Sequence, residues 1–262
     1  MSNETRTLPY RATALVTGGA QRIGRGITLA LARACFRVVV HARHESDATH
    51  AILQELAAMN AEAYALTADL ADANAAISLI ARAAMVAGPL SLLVNNASVF
   101  ESDAIGDLDA ARWNEHFAVN LRAPVFLAEA FAAQVDDAHA GLASIVNITD
   151  QRAMKPVPRQ FSYSLTKLGL HSATTMLAQA LAPRVRVNAV APGPTLPSPR
   201  QDRAAFERQA AALPLGRGPA PDDIAAAVLY LAAARSVTGV TIAVDGGQHI
   251  AWLTPDVDGI AE

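Results

Sequence analysis

The chain has 262 residues and a formal net charge of −3, with 52% hydrophobic against 17% charged residues and a mean hydropathy of +0.22. That balance excludes a disordered or fibrous protein and supplies a sizeable core. With no long run of one charge sign, neither a nucleic-acid-binding stripe nor an acidic tail is indicated, so a small-molecule partner is expected.

Short β-branched runs alternate with longer Ala/Leu-rich stretches. The opening MSNETRTLPYR is polar, so no secretory leader is expected. Ala12–Thr17 reads as the first strand, followed by Thr17-Gly18-Gly19-Ala20-Gln21-Arg22-Ile23-Gly24-Arg25-Gly26 and a helix near 23–34. Glycines at a strand-to-helix turn allow a close approach of backbone to a pyrophosphate on the helix N-terminus; a plain tight turn is the structural alternative. Cys35 sits beside apolar residues and is expected to be a buried, inert thiol. As the one cysteine of the chain, it excludes an intramolecular disulfide and fits a reducing compartment. The second strand, Phe36–His41, ends at His41-Ala42-Arg43-His44. Basic residues at this point accommodate a 2′-phosphate, which favours NADPH over NADH, and Arg22 and Arg25 add positive charge at the turn. Glu45 and Asp47 weigh the other way, and a solvated turn is the alternative for Arg43 and His44. Helix 47–59 leads to the third strand, Glu62–Thr67. Asp69 is then placed either to meet an adenine or to cap the helix over 72–87.

The fourth strand, Ser91–Asn95, runs into Asn95-Asn96-Ala97-Ser98, with Phe100 following. One long helix over 109–135 carries Asn120, and Asp150 ends the fifth strand, Leu142–Thr149. Helix 162–182 carries Tyr163 and Lys167, four apart and therefore on one face. A phenol with an ordinary pKa near 10 is a poor proton shuttle at neutral pH, and an ammonium beside it lowers that value. The sixth strand, Val185–Val190, precedes a segment, 191–220, punctuated by Pro192, Pro194, Pro197, Pro199, Pro214 and Pro219. That segment is expected to hold no sheet and to form a substrate lid with a short helix near Arg200–Ala211. Helix 221–234 and a seventh strand, Val240–Val244, complete the pattern. Strand, helix, strand repeated without a linker predicts a single-domain α/β, Rossmann-type doubly wound parallel sheet over 1–262, with ligands at the C-terminal ends of the strands. Arg82, Arg122 and Arg235 keep every apolar stretch short of the roughly 18 residues a membrane span needs, so a cytoplasmic protein is expected. His41 and His44 have no cysteine or carboxylate set around them, and no metal is expected. Met154 and Trp252 either line the cleft or simply pack.

On the Thr17–Gly26 turn, Asn95-Asn96-Ala97, Asn120, Tyr163-Ser164-Leu165-Thr166-Lys167, Val187-Asn188-Ala189-Val190-Ala191-Pro192-Gly193 and Val244-Asp245-Gly246-Gly247, in this order, the chain resembles the short-chain dehydrogenase/reductase family over nearly its whole length. The resemblance implies that Tyr163 donates a proton, that Lys167 binds the nicotinamide ribose and lowers the Tyr163 pKa, and that Asn120 holds a relay water. It implies NADP contacts at Gly18, Arg22, Ile23, Gly24, His41, Arg43, His44, Asp69, Asn95, Ala97, Lys167, Pro192 and Gly193, and a homotetramer.

Three departures from the common family pattern point further. Arg22 replaces the middle glycine of the turn, Asp150 stands thirteen residues before Tyr163 where the family has serine, and Ser98 follows Asn-Asn-Ala where glycine is usual. With Phe100 and His41, these changes are similar to the pteridine reductase branch, which includes bacterial dihydromonapterin reductases. That likeness implies reduction of a dihydropterin, dihydrofolate included, with hydride going to a ring carbon and a proton to a ring nitrogen through Asp150, Tyr163 and Lys167. Phe100 would stack on the pterin or pack as core, and Ser98 would bond its polar edge. Arg22 would bridge phosphate and pterin or touch phosphate alone. Two other functions stay open: a carbonyl reductase or alcohol dehydrogenase in which Asp150 merely replaces serine, and an NADPH-sensing regulatory protein, against which the intact Tyr163, Lys167 and Asn120 speak. The segment 248–262 would reach a neighbouring subunit or close the cleft.

Overall fold

A computed structural model describes residues 12–198 and 201–252. Along the chain run β1 (Thr13–Val16), α1 (Arg22–Arg33), β2 (Arg37–Ala42), α2 (Asp47–Ala58), β3 (Ala63–Thr67), α3 (Ala73–Ala87) and β4 (Leu92–Asn95). There follow α4 (Ala110–Phe117), α5 (Ala123–Gln134), β5 (Ala143–Ile148), α6 (Phe161–Leu181), β6 (Val185–Pro192), α7 (Arg203–Ala211), α8 (Pro221–Ala233) and β7 (Thr241–Val244). The strands form one parallel sheet in the order β3-β2-β1-β4-β5-β6-β7.

The strands are largely apolar because both faces of the sheet are covered. Leu15, Val39, Leu93, Ile145 and Val187 point to one face and pack with Leu79 and Ile80 of α3, Leu127 and Phe131 of α5 and Ala178 of α6. Their neighbours Val16, Val38, Val40, Val94 and Val146 point the other way, against Ile27 and Leu31 of α1, Ile52 and Leu56 of α2 and Ile224 and Val228 of α8. Period-2 alternation therefore assigns successive residues to two cores rather than to core and solvent. Side-chain oxygens of Ser46, Asp72, Asp109 and Asp202 cap α2, α3, α4 and α7, each accepting a bond from a first-turn backbone N–H.

Several expectations are corrected. The helix expected over 109–135 is interrupted by a π-helical turn, Ala118–Arg122, between α4 and α5. Strand β6 continues through Ala191 and Pro192, which pair with Ala243 and Val244, so the Pro-rich segment does begin in the sheet. A proline is tolerated there because it closes its strand. The helix expected from Arg200 starts at Arg203, one residue after its Asp202 cap. Asp72, not Asp69, caps α3. Cys35 is exposed rather than buried: it occupies the turn leaving α1 with φ +64°, and its side chain stays outside the helix–sheet seam. Among the described residues, no helix is long and apolar enough to cross a membrane, and no cluster of three or more histidine, cysteine or carboxylate side chains could hold a metal ion.

Candidate active site

The turn between β1 and α1 is shaped by close backbone approach. Gly18 has φ +60°, in the left-handed region that favours glycine, and a Cβ at Gly24 would lie 2.1 Å from the Gly18 carbonyl oxygen. Arg22 also adopts a left-handed conformation, φ +51°, at the place where the family pattern has glycine. Its guanidinium donates to the carbonyls of Leu196 (3.2 Å) and Pro197 (3.0 Å). Unlike α2, α3, α4 and α7, α1 has no side-chain cap and no acidic residue in its first turn. Its free N–H groups and positive end thus suit an anion.

His41 reaches this turn from beneath. Its Nδ1 accepts the Gly18 N–H at 3.2 Å and its Nε2 lies 3.0 Å from the Ala68 carbonyl, which it meets as donor. Burial lowers its pKa, so the ring is neutral with both nitrogens engaged by backbone. Thr17 and Asn96 fasten the turn to the end of β4: Thr17 Oγ1 accepts from the N–H groups of Asn96 (2.9 Å) and Ala97 (3.0 Å), and Asn96 Nδ2 donates to the carbonyls of Thr17 (2.9 Å) and Gly18 (3.1 Å). The neighbouring Asn95 lies below, buried, with Nδ2 donating to Asn147 Oδ1 at 2.9 Å. Of the adjacent pair, Asn96 faces the cavity and Asn95 does not.

A cavity of about 730 Å³ opens along the C-terminal ends of the strands. Gly18, Arg22, Ile23 and Gly24 wall it at one end, Ala97, Ser98 and Phe100 from the loop after β4, Asp150 after β5, Tyr163 and Lys167 from α6, and Pro192 and Gly193 after β6. Arg43, His44 and Asp69 lie outside its walls, as do His41, Asn95 and Asn120. Arg43 is half-exposed and paired to Asp69 Oδ2 at 2.8 Å and Glu115 Oε1 at 3.2 Å. A backbone bond from Ala71, with help from Arg43, holds the Asp69 carboxyl below its usual range. Arg25 turns away onto Glu55 of α2. Met154 is not on the cavity wall, and Trp252 is exposed.

At the centre, Tyr163 Oη donates to Asp150 Oδ2 at 2.9 Å, and Lys167 Nζ donates to the Ile148 carbonyl at 2.9 Å, with the Tyr163 ring centroid 5.6 Å away. Contrary to the expectation that the ammonium lowers it, the Tyr163 pKa lies well above 10, because the hydroxyl is buried and faces the Asp150 carboxylate. Burial also lowers Lys167, to about 8. Tyr163 is therefore a protonated donor held against a carboxylate. Phe100 stands edge-on to Tyr163, ring centroids 4.7 Å apart at 78°, on the cavity wall.

Asn120 lies in the π-helical turn and is fully buried. Its Oδ1 accepts from Val99 N (2.8 Å) and Ser98 Oγ (3.2 Å), and its Nδ2 donates to Val99 O (2.9 Å) and Thr166 Oγ1 (3.3 Å). The side chain thus ties the Ser98–Phe100 wall to α6. Two groups have no readable sequence signal. Arg152 pairs with Asp150 at 3.2 Å. Asp103, Ser162 and His116 form a buried chain beneath Tyr163: Ser162 Oγ donates to Asp103 Oδ2 and lies 2.6 Å from His116 Nδ1.

The comparisons fit this geometry. A profile described as short chain dehydrogenase matches residues 12–208. Two solved structures, titled FolM alternative dihydrofolate reductase 1 from Brucella canis and from Brucella suis, each with NADP, are 47% identical, cover 94% of this chain and 97% and 98% of theirs, and superpose with TM-scores of 0.90. Among curated relatives, an L-rhamnose 1-dehydrogenase (NAD(P)(+)) from Sphingomonas sp. (strain SKA58) is 32% identical over 246 residues, covering 91% of this chain and 96% of the relative. A 3-oxoacyl-[acyl-carrier-protein] reductase FabG from Staphylococcus aureus (strain Mu50 / ATCC 700699) is 31% identical over 244 residues, 91% of this chain and 98% of the relative. With the sheet order, the glycine turn and the Tyr163–Lys167 pair in one cleft, the chain belongs to the short-chain dehydrogenase family.

Proposed function

We propose that the protein is an NADPH-dependent reductase of a pterin, of the dihydropterin or dihydrofolate class. The observation that carries this reading is the Asp150–Tyr163 hydrogen bond beside Phe100: a carboxylate and a phenol share one proton against an aromatic wall, inside a cavity large enough for a nicotinamide and a flat heterocycle. The two Brucella FolM structures support it at 47% identity.

The cradle suits a dinucleotide phosphate. The glycine turn and uncapped α1 would hold the pyrophosphate, Arg43 and His44 the 2′-phosphate side, Asp69 the adenine side, and Pro192–Gly193 with Ala97 the nicotinamide end. Lys167 would bind the nicotinamide ribose. Bound NADPH supplies hydride to a ring carbon. Phe100 would stack on the heterocycle, Ser98 would meet its donor–acceptor edge, and Arg22 would lie between phosphate and substrate. Tyr163 Oη, its O–H turning from Asp150 to the substrate, would give its proton to the adjacent ring nitrogen, so C=N becomes CH–NH, and the phenolate would regain a proton from water.

The rhamnose dehydrogenase and FabG likenesses favour a second reading, an oxidoreductase of a sugar or other carbonyl compound. NADPH oxidation measured with 7,8-dihydropterins and dihydrofolate beside ketones and 3-oxoacyl thioesters, together with NADP reduction by L-rhamnose, separates the two. Turnover of the pterins is expected; turnover of the carbonyl or sugar substrates alone would overturn the pterin reading.

A further inference from the structure

Arg152 takes no part in the chemistry above, yet its guanidinium occupies the corner where all of it meets. Asp150 Oδ2 accepts the Tyr163 hydroxyl at 2.9 Å and Arg152 Nη1 at 3.2 Å, so one carboxylate oxygen serves both partners. The other oxygen, Oδ1, accepts the Arg152 backbone N–H at 2.8 Å and Nη1 again at 3.4 Å. The guanidinium carbon lies 5.7 Å from the Phe100 ring centroid and 5.9 Å from that of Tyr163. These two rings stand nearly perpendicular, and the cation fills the angle between them. Lys167, the other cation at hand, spends an N–H on the Ile148 carbonyl instead.

The geometry points to Arg152 as a positioning residue for proton transfer: it fixes the Asp150 carboxylate against the Tyr163 hydroxyl and supplies the positive charge that offsets the phenolate formed when Tyr163 gives up its proton. Charge counting gives the reason. Before transfer the cluster holds one carboxylate, one neutral phenol, one guanidinium and one ammonium. After transfer to the substrate it holds two anions joined across what was a 2.9 Å hydrogen bond, and two cations. Without Arg152 a single ammonium would face both anions beside the buried Tyr163 ring. The same guanidinium opposes the upward pull of burial and Asp150 on the Tyr163 pKa. The other charged or titratable groups facing the pair are Lys167 of α6, His116 of α4 with its ring 6.3 Å from that of Tyr163, Glu101 on the cavity wall, and Arg22 of the turn.

This inference rests on Asp150 and Tyr163 as the proton-transfer pair, not on the identity of the substrate. Arg152→Gln, Arg152→Lys and Tyr163→Phe are therefore compared with whichever substrate class turns over in the assay above. For Arg152→Gln a loss in kcat of about 10²-fold is expected, with the KM for NADPH within about twofold of the parent. The alkaline fall of the kcat–pH profile should move to higher pH, because the phenol holds its proton more tightly. Arg152→Lys restores the charge and should recover about tenfold of the loss and most of the shift. Should Arg152→Gln not fold, Arg152→Met, which keeps the packing against both rings, is expected to behave the same way. An unmoved profile with kcat within about twofold of the parent, while Tyr163→Phe abolishes turnover, overturns the role of Arg152. Full activity in Tyr163→Phe overturns the proton-donor reading beneath it.

Discussion

Lys167 and Tyr163 are neighbours whose burial acts on stability in opposite senses. The ammonium of Lys167 loses its proton near pH 8 in the folded chain against about 10.5 in an unfolded one. Between these values the unfolded state binds more protons, so stability rises with pH. Tyr163 does the reverse. Its folded pKa is above the ordinary value near 10, so above pH 10 the unfolded chain releases a proton that the folded one keeps, and stability falls. Cofactor-free protein should accordingly show stability climbing by about 2 kcal/mol between pH 8 and 10 from the lysine alone, then turning down. Urea unfolding across this range reads the rise as the difference between the parent and Lys167→Met, which removes the titration and should flatten the curve. A parent and variant that change in parallel through the window would contradict a buried, reluctant ammonium.

Elements rather than single residues hold the wall that faces Tyr163, and Ser162 is where three of them meet. Its N–H donates to both oxygens of Asp103 at 3.2 Å, and its hydroxyl donates to Oδ2. His116 Nε2 accepts the Glu101 N–H at 3.1 Å, which leaves Nδ1 carrying the hydrogen that meets Ser162 Oγ. Thus α4, α6 and the loop after β4 share one buried chain. Ser162→Ala keeps the backbone N–H on Asp103 but removes the hydroxyl bond to Oδ2 and leaves the His116 Nδ1–H, at 0% exposure, without its partner, and should cost about 2 kcal/mol in urea unfolding. Ser78→Ala on the exposed face of α3 should cost about 0.5 kcal/mol or less. Equal losses would deny the chain its structural weight. The element order is legible in the amino-acid sequence because β-branched runs and Ala/Leu-rich stretches differ in period, and the strand limits shift by only a residue or two. The break inside 109–135 is not legible there, since one π-helical turn changes register without changing composition. The Tyr163–Lys167 spacing and the glycine turn are local signals, readable from a few consecutive residues. Arg152 against two rings, and Asp103 reaching Ser162 across 59 positions, are products of tertiary approach, and no spacing rule reports them.

At the scale of the molecule, the sheet order places the site. After β3 the chain crosses back to the centre to form β4 beside β1, so the connections leave these two strands in opposite directions and a crevice opens at their C-terminal ends. The cavity wall hangs over that crevice: the turn after β1, Asn96 to Phe100 after β4, Asp150 after β5 and Gly193 after β6. Arg22 spans it, tying the turn to the carbonyls of Leu196 and Pro197 on the far side. A dinucleotide lying there touches segments remote in sequence but adjacent in space, and it binds the folded state alone. At about 100 times its Kd, NADPH should therefore add about 2.7 kcal/mol to stability and raise the Tm. Amide hydrogen exchange should slow together at Gly18–Ile23, Asn96–Ser98 and Gly193–Thr195, with α2 and the outer face of α3 unchanged. The shallower hollow lined by Ala71, Glu115, Phe117 and Arg122 offers a contrasting outcome. It lies away from the glycine turn, and protection centred there, without slowing at Gly18–Ile23, would mean that the dinucleotide does not use the strand-end crevice.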